Sequence, residues 1–305
     1  MIQFAVNENI DRTLWDAAVM QSSQPMVYAM SWYLDLTAPG WNGLIEENYQ
    51  SVMPLVGEKK FGINYLFQPP FCQQLGVFGK DISSDVVKRF LKAIPQKYRF
   101  AEIMLNEQNT IDVSGVEMLT NITLQLSYSI EELRNKYNDN TRRNIKKAVQ
   151  SAVSLHKGFD IEKIITLFRE NKGEAIGKSD AWYAHLLTLS YQLRHRGMAT
   201  TWSALNEHND IIAGILTVEF EGRVILLFSG SGSEARETGA MHFLIDSILA
   251  DTCNTHQIFD FEGSNNENLA RFYLGFGGEK SSYPFVRINR LPLPVRWMKD
   301  KGVSV

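Results

Sequence analysis

Between residues 11 and 20 the apolar side chains Leu14, Trp15, Ala18 and Val19 recur at helical spacing, which predicts an amphipathic helix. Runs with strand character follow over residues 26–36, 43–45 and 50–56, joined by the turn chemistry of Ala38-Pro-Gly-Trp-Asn42 and Gly57-Glu-Lys-Lys60. The aromatic stretch 64–76 is broken by Pro69 and Pro70, which cannot donate to a ladder, so it reads as an edge segment or loop. Ser84 is placed to cap a helix over 85–94, which Pro95 helps to end. Strands over 100–105 and 118–126 complete a mixed first half.

The second half begins with helices. Ser129 and Glu132 form a capping-box pattern that opens a helix over 130–137, and a second, basic helix starts near residue 140. Asp160 is placed to cap a helix through about residue 171, and Asp180 one through about residue 196. Three strands follow over 199–205, 211–220 and 223–228. The last breaks into the small polar run Ser229-Gly-Ser-Gly-Ser233, and an apolar helix occupies 238–252. A strand over 257–261 then stops at Glu262-Gly-Ser-Asn265, before a short helix over 267–273 and the turn Gly275-Phe-Gly-Gly278. Strand, polar break, helix, repeated, is the order that lines a crevice at strand ends in α/β units. The tail, with Pro284, Pro292, Pro294 and Trp297, reads as a strand and a packed extension. Each half holds helix, antiparallel strands, helix and strand. The fold class is therefore α/β with mixed sheets, in two domains: 1–127, and 128–305 with a C-terminal extension that packs back.

Composition narrows the classes. With 305 residues, 44% apolar and 21% charged, the chain can bury a sizeable core. A net charge of −3 creates no global field toward nucleic acid or anionic lipid, so an anionic substrate needs a local basic patch. The two cysteines, Cys72 and Cys253, are far apart, and the six histidines form no ligand pattern, so neither a metal nor a cysteine nucleophile is expected. His242, on the helix over 238–252, reads as packed or half-exposed. No secretory signal and no membrane span are visible, which points to the cytoplasm.

Two motifs carry a resemblance. Phe259-Asp-Phe-Glu-Gly-Ser264, with Leu269-Ala-Arg-Phe-Tyr-Leu-Gly-Phe-Gly-Gly278, resembles the acyl-transfer fold called GNAT. Thr141-Arg-Arg-Asn-Ile-Lys-Lys-Ala148 looks like the helix start that precedes the second domain in its double-domain branch, the Fem (FemABX-like) peptidoglycan aminoacyltransferases. The resemblance covers the second half in order and the first in outline, and implies tandem GNAT-like domains. Single-domain acetyltransferases carry Arg/Gln-x-x-Gly-x-Gly/Ala at a helix N-terminus that faces the diphosphate of acyl-CoA. Here Arg236-Glu-Thr-Gly-Ala-Met241 stands at that place, with Met241 where a small residue is expected. Bulk there obstructs a diphosphate, which weakens acyl-CoA as the donor and leaves aminoacyl-tRNA or another donor open. No tightly bound cofactor is implied.

Candidate residues follow. Asp260 and Glu262 share a strand face and are candidate bases for an attacking amine, Glu262 being the better placed; equally, both could cap the following helix or pair with Arg271. Tyr273 stands where the resemblance places a tyrosine that protonates a leaving thiolate, or else packs the helix on the sheet. Ser229, Gly230 and Ser231 are candidates to hold a donor carbonyl, with Arg236, Gly239 and Ala240 at its phosphates; the alternatives are a flexible anion nest or merely a loop over 229–233, and an ordinary loop before a core helix at 236–241. Arg142, Arg143 and Lys146, in the one dense basic cluster, are acceptor-side candidates; in the Fem family the arginine aligned with Arg142 contacts the diphosphate of a nucleotide-linked acceptor. A solvated helix face is the alternative. Ser264 and Asn265 either bind acceptor or satisfy helix amides. The expected function is transfer of an acyl or aminoacyl group to an amine in an inter-domain cleft. The rivals are an acyl-CoA-dependent N-acetyltransferase acting on a small amine and a non-catalytic binding member of the fold.

Overall fold

A computed structural model describes residues 1–112, 115–173, 176–263 and 265–292. The elements run β1 (Ile2–Ala5), α1 (Arg12–Met20), α2 (Ser31–Thr37), β2 (Asn42–Glu46), β3 (Ser51–Leu55), β4 (Gly57–Lys60), β5 (Ile63–Leu66), β6 (Phe78–Gly79), α3 (Ser84–Ala93) and β7 (Tyr98–Met104). They continue with β8 (Glu117–Gln125), α4 (Ile130–Asn135), α5 (Asp139–Gln150), β9 (Ser154–Gly158), α6 (Ile161–Phe168), α7 (Asp180–His195), β10 (Ala199–Leu205), β11 (Ile211–Phe220) and β12 (Arg223–Ser231). The last are α8 (Ser233–Thr238), α9 (Ala240–Thr252), β13 (Ile258–Asp260), α10 (Glu267–Leu274) and β14 (Glu279–Asn289). The chain forms two compact units: Met1–Thr120 with the stretch from Ser281, and Asn121–Lys280. Residues 281–292, read from sequence as part of the second domain, thus belong to the first unit. Among the described residues no helix is long and apolar enough to cross a membrane.

The first unit holds a sheet in the order β1-β2-β3-β6 and the strands β4-β5-β7-β14. Its core joins Val87, Phe90 and Leu91 of α3 to Ala101 and Ile103 of β7 and to Val286 and Ile288 of β14. Three expectations need correction here. Residues 26–36 are not a strand but a 3-10 turn, Val27–Ala29, and α2. Ser31 donates its backbone N–H and hydroxyl to Asp16 at 2.6 and 2.9 Å, and Tyr33, Leu34 and Thr37 bury at helical spacing, which overrides the strand-forming composition. Residues 57–60, read as a turn, are β4, paired antiparallel with β5; all are exposed, so no apolar period betrays the strand. The cap of α3 is Ser83, whose hydroxyl accepts from Val86 N–H, rather than Ser84.

In the second unit the order is β8-β13-β12-β11-β10-β9, with β13 antiparallel to β8 and parallel to β12. The capping box of Ser129 and Glu132 is formed, and Asn138 caps α5 by accepting from Thr141 N–H at 2.8 Å. Asp160 does not cap α6; its carboxylate accepts from the Ser203 hydroxyl, and α6 gives way to a π-helical turn over Arg169–Gly173. Ser179, not Asp180, caps α7. Leu244, Ile245, Ile248 and Leu249 of α9 are buried with Val224 and Leu226 of β12 and Phe259 and Phe261 at β13. Each such side chain contributes about 1.5–3 kcal/mol by leaving water. That core holds α9 against the sheet and fixes the end of β12.

Candidate functional site

β12 runs further than the polar composition of its end suggests. Ser229, Gly230 and Ser231 are not a loop: they pair with Ile215, Gly214 and Ala213 of β11. On the other side β12 pairs with β13 only from Arg223↔Ile258 to Ile225↔Asp260. Beyond Ile225 the two parallel strands part, and the β12 backbone on that side has no strand partner among the described residues.

A register shift between Leu216 and Thr217 places an extra residue, Leu227, in β12. A bulge of one residue reverses the alternation that follows it. Leu226, Ser229 and Ser231 therefore share a face, and all three line a cavity of about 400 Å³. Phe228 and Gly230 take the opposite face. Phe228 meets the Phe168 ring at 4.9 Å, and a Cβ on Gly230 would collide with the Ile164 carbonyl oxygen of α6. Packing of α6 thus accounts for Gly230, which does not line the cavity.

The cavity is completed by the turn between α8 and α9 and by α10. Gly239 is left-handed (φ 76°), ends α8 and begins α9, and a Cβ there would strike the Asn144 carbonyl oxygen of α5. No side chain caps α9, so its N-terminus is left to other partners. Arg236, Gly239, Met241, His242, Asn144, Phe168, Leu269, Phe272 and Tyr273 join the wall. Met241 also leans on the core of the unit, and the Ala240 side chain is wholly within that core. Tyr273 is buried, stacked on Phe261 at 4.7 Å, and its phenol is held protonated well above the usual range by burial and, secondarily, by the charge of Glu262.

The two carboxylates have different surroundings. Asp260 is buried and ion-paired with Arg223, and it accepts from Asn121 Nδ2 at 2.9 Å and from Glu262 N–H at 3.1 Å. It therefore neither caps α10 nor pairs with Arg271. Asn266 caps α10, accepting from Asn268 and Leu269 N–H. Glu262 is half-buried and left-handed (φ 50°), and the exposed Gly263 is left-handed too (φ 55°). A non-glycine residue there costs on the order of 1–3 kcal/mol, which the Asp260 bond to its amide helps to offset. Asn265 is exposed, and Ser264 and Trp297 lie outside the described residues.

The basic cluster belongs elsewhere. Arg142 and Lys146, with Ile145 and Val149 of α5, line a trough of about 810 Å³ against Phe243, Asp246 and Ser247 of α9. Arg142 donates to the Asn135 carbonyl at the end of α4, a bond that satisfies a helix terminus. Arg134 grips Asp246 through two bonds of 2.9 and 2.8 Å, and Tyr137 adds a third at 3.1 Å. Arg143 does not line the trough and donates to the Asn140 side-chain oxygen. The structure thus gathers Ser229, Ser231, Arg236, Gly239 and Tyr273 in one cavity and leaves Arg142, Arg143 and Lys146 outside it. Sequence reasoning missed Asn144, Phe168 and His242 in the wall. The first sits inside the basic helix, and nothing in the residue types separates the other two from core.

No family model and no curated protein matches the sequence. Among solved structures, FemX is similar at 12% identity with a TM-score of 0.66, over 99% of this chain and 100% of that one. L-PGS from Bacillus licheniformis is similar at 12% identity and 0.55, over 94% and 95% of the two chains. A tandem GNAT protein from the clavulanic acid biosynthesis pathway gives 11% and 0.56, over 96% and 99%. Identities this low speak for the fold, and the fold they speak for is the one the motifs resemble: the chain has the tandem GNAT fold.

Proposed function

We propose that the chain is a GNAT-type N-acyltransferase that takes an acyl thioester, acyl-CoA, in the cavity at the end of β12 and passes the acyl group to an amine. The observation that carries this reading is the parting of β12 from β13 beside Tyr273, with Ser229, Ser231, Arg236 and the Gly239 turn in the same cavity. The free edge of β12 offers backbone groups to the donor's carbonyl and arm, and the N-terminus of α9 with Arg236 offers N–H groups and charge to its phosphates.

The amine nitrogen attacks the carbonyl carbon, the C–N bond forms and the C–S bond breaks. The departing thiolate takes the proton of Tyr273, which burial keeps on the phenol until then. The amine's proton leaves through water to Glu262, whose carboxylate flanks Tyr273 without lining the cavity. Asp260 and Arg223 anchor the strand end that carries Glu262. An anionic or nucleotide-linked acceptor is read onto Arg142 and Lys146, which face the trough, with Arg143 as a more distant contact.

Aminoacyl-tRNA is the second donor reading, favoured by the bulk of Met241 in the cavity wall. The test is thiol release from an acyl-CoA panel with primary amines, beside a melting assay with CoA. Acyl-CoA turnover that drops about 100-fold in Tyr273→Phe supports the first reading. CoA binding without turnover points to a binding member of the fold, and no CoA binding turns the donor toward aminoacyl-tRNA.

A further inference from the structure

The hairpin of β4 and β5, at the edge of its sheet, carries an aromatic ring where the backbone least favours one. Lys60 pairs with Ile63, so the loop between the strands is the two residues Phe61 and Gly62. Both have positive φ, 50° and 80°, as a type I′ turn requires. That turn prefers asparagine at its first position, and a bulky side chain there is strained because its Cβ crowds the backbone. Packing offers no compensation: Phe61 is 93% exposed, the most exposed large apolar side chain among the described residues. Strain and exposed apolar area both count against phenylalanine here, so the folded chain by itself gives no reason for it.

The ring's surroundings are cationic. Lys59 and Lys60 precede it, and the Lys60 ammonium lies 5.8 Å from its centroid. β5 runs parallel to β7 with Asn64 opposite Tyr98, which brings the tip to the end of the sheet where Lys97 leads into β7. β14 finishes at the same end, Asn289 pairing with Phe100 and Arg290 N–H donating to the Arg99 carbonyl at 2.7 Å. Lys59, Lys60, Lys97 and Arg99 are exposed, and none has an ion-pair partner among the described residues. The one carboxylate on the hairpin, Glu58, accepts from the Tyr65 hydroxyl at 2.7 Å. A chain of net charge −3 thus keeps a local cationic edge with a bare ring at its tip.

We propose that this tip is a reversible anchor for an anionic lipid surface, with Phe61 entering the headgroup layer and Lys59, Lys60, Lys97 and Arg99 lying against the phosphates. A protruding ring among flexible cations suits a fluid anionic layer, in which the ring leaves water and the charged heads stay at the surface. Single-stranded nucleic acid is better served by a groove with successive aromatic rings, whereas this tip projects one. Edge lysines alone would serve to discourage strand addition, but a bare phenylalanine beside them works against that end. One ring and a few cations hold weakly, so the contact forms and breaks readily. The inference is independent of the acyl-CoA reading, since every residue in it belongs to the first unit.

Co-sedimentation tests it, with vesicles of phosphatidylcholine alone and of phosphatidylcholine with about 30% phosphatidylglycerol, at low salt. The unaltered protein is expected to bind the anionic vesicles and not the neutral ones. Phe61→Asn should weaken that binding about 10-fold while its melting temperature holds or rises, because asparagine suits the turn. Lys59→Gln combined with Lys60→Gln should weaken it about 30-fold. No binding of the unaltered protein to anionic vesicles, or equal binding by Phe61→Asn, overturns the proposal. Should Phe61→Asn melt lower, Phe61→Trp decides: the added emission must be quenched by brominated lipid in anionic vesicles, and emission that is untouched overturns the proposal. Binding of a single-stranded RNA oligonucleotide that Phe61→Asn weakens, with no vesicle binding, assigns the tip to nucleic acid and overturns it as well.

Discussion

The second unit holds two recesses on either side of α5, and they differ in almost every property that marks a site. The trough against α9 is the larger and carries Arg134, Arg142 and Lys146, so charge draws the eye to it. The cavity at the end of β12 has half the volume, yet its wall includes a phenol with a displaced titration, a histidine with an unmet nitrogen and a glycine required by a left-handed turn and by the Asn144 carbonyl beside it. Charges in the trough are largely spent on helix ends and on Asp246. The difference teaches that a dense cationic run marks exposure, whereas parted strands and desolvated polar atoms mark where chemistry can be controlled.

The sharpest test contrasts the anchors of the two recesses. Asp260→Ala leaves Arg223 buried without its partner and is expected to destabilise the fold by about 3–5 kcal/mol in denaturant titrations. Asp246→Ala frees an Arg134 that is already half-exposed, and about 1.5–3 kcal/mol is expected. A reversed order would break the comparison. Tyr273→Phe keeps the stacked ring, so its melting temperature should hold while kcat drops about 100-fold, equivalent to roughly 2.7 kcal/mol of barrier.

A smaller effect concerns pH. His242 has a folded pKa of about 4 against an ordinary 6.5, so between these values the unfolded chain binds the proton and the folded chain does not. Its contribution to stability is present above pH 6.5 and is lost as pH falls toward 4. Urea titrations across that window should show a shallower loss in His242→Phe than in the unaltered protein. Smallest of all, Arg142→Ala is expected to shift stability by less than about 1 kcal/mol and to leave CoA affinity as it was. A tenfold loss of CoA would join the two recesses into one site.

Much of this arrangement was readable before any coordinates. Most strands and helices of the second unit and the Ser129 capping box follow from spacing and local propensity, which do not need the rest of the fold; the exposed strand β9 and the short helix α8 carry no apolar period and do not show in the sequence. Residues 26–36 misled because the bonds from Ser31 to Asp16 come from another helix and leave no trace in local pattern. Gly230 misled differently: a small residue beside a presumed donor looks like room for a ligand, and the room is taken by α6. Asp260 and Glu262 look alike in sequence, two positions apart, but β13 ends at Asp260, which pairs with the buried Arg223, and Glu262 lies beyond the strand in a left-handed turn, so the two do not share a strand face. His242 was invisible because an unmet hydrogen bond is a property of surroundings.

The extra residue at Leu227 has a wider consequence. It divides β12 into an inner half, committed to the core, and an outer half whose side chains run in the opposite phase. Drawing Leu227 into the regular ladder would restore a single phase and turn Phe228 and Gly230 inward, exchanging a wall of hydroxyls for a ring and a gap, whereas deleting Leu227 would remove the bulge and leave Ser229 and Ser231 where they are. One unpaired position thus acts as a parity setting for the whole outer strand, and the chemistry displayed to a ligand is set by pairing alone, with no change in which residues the strand contains.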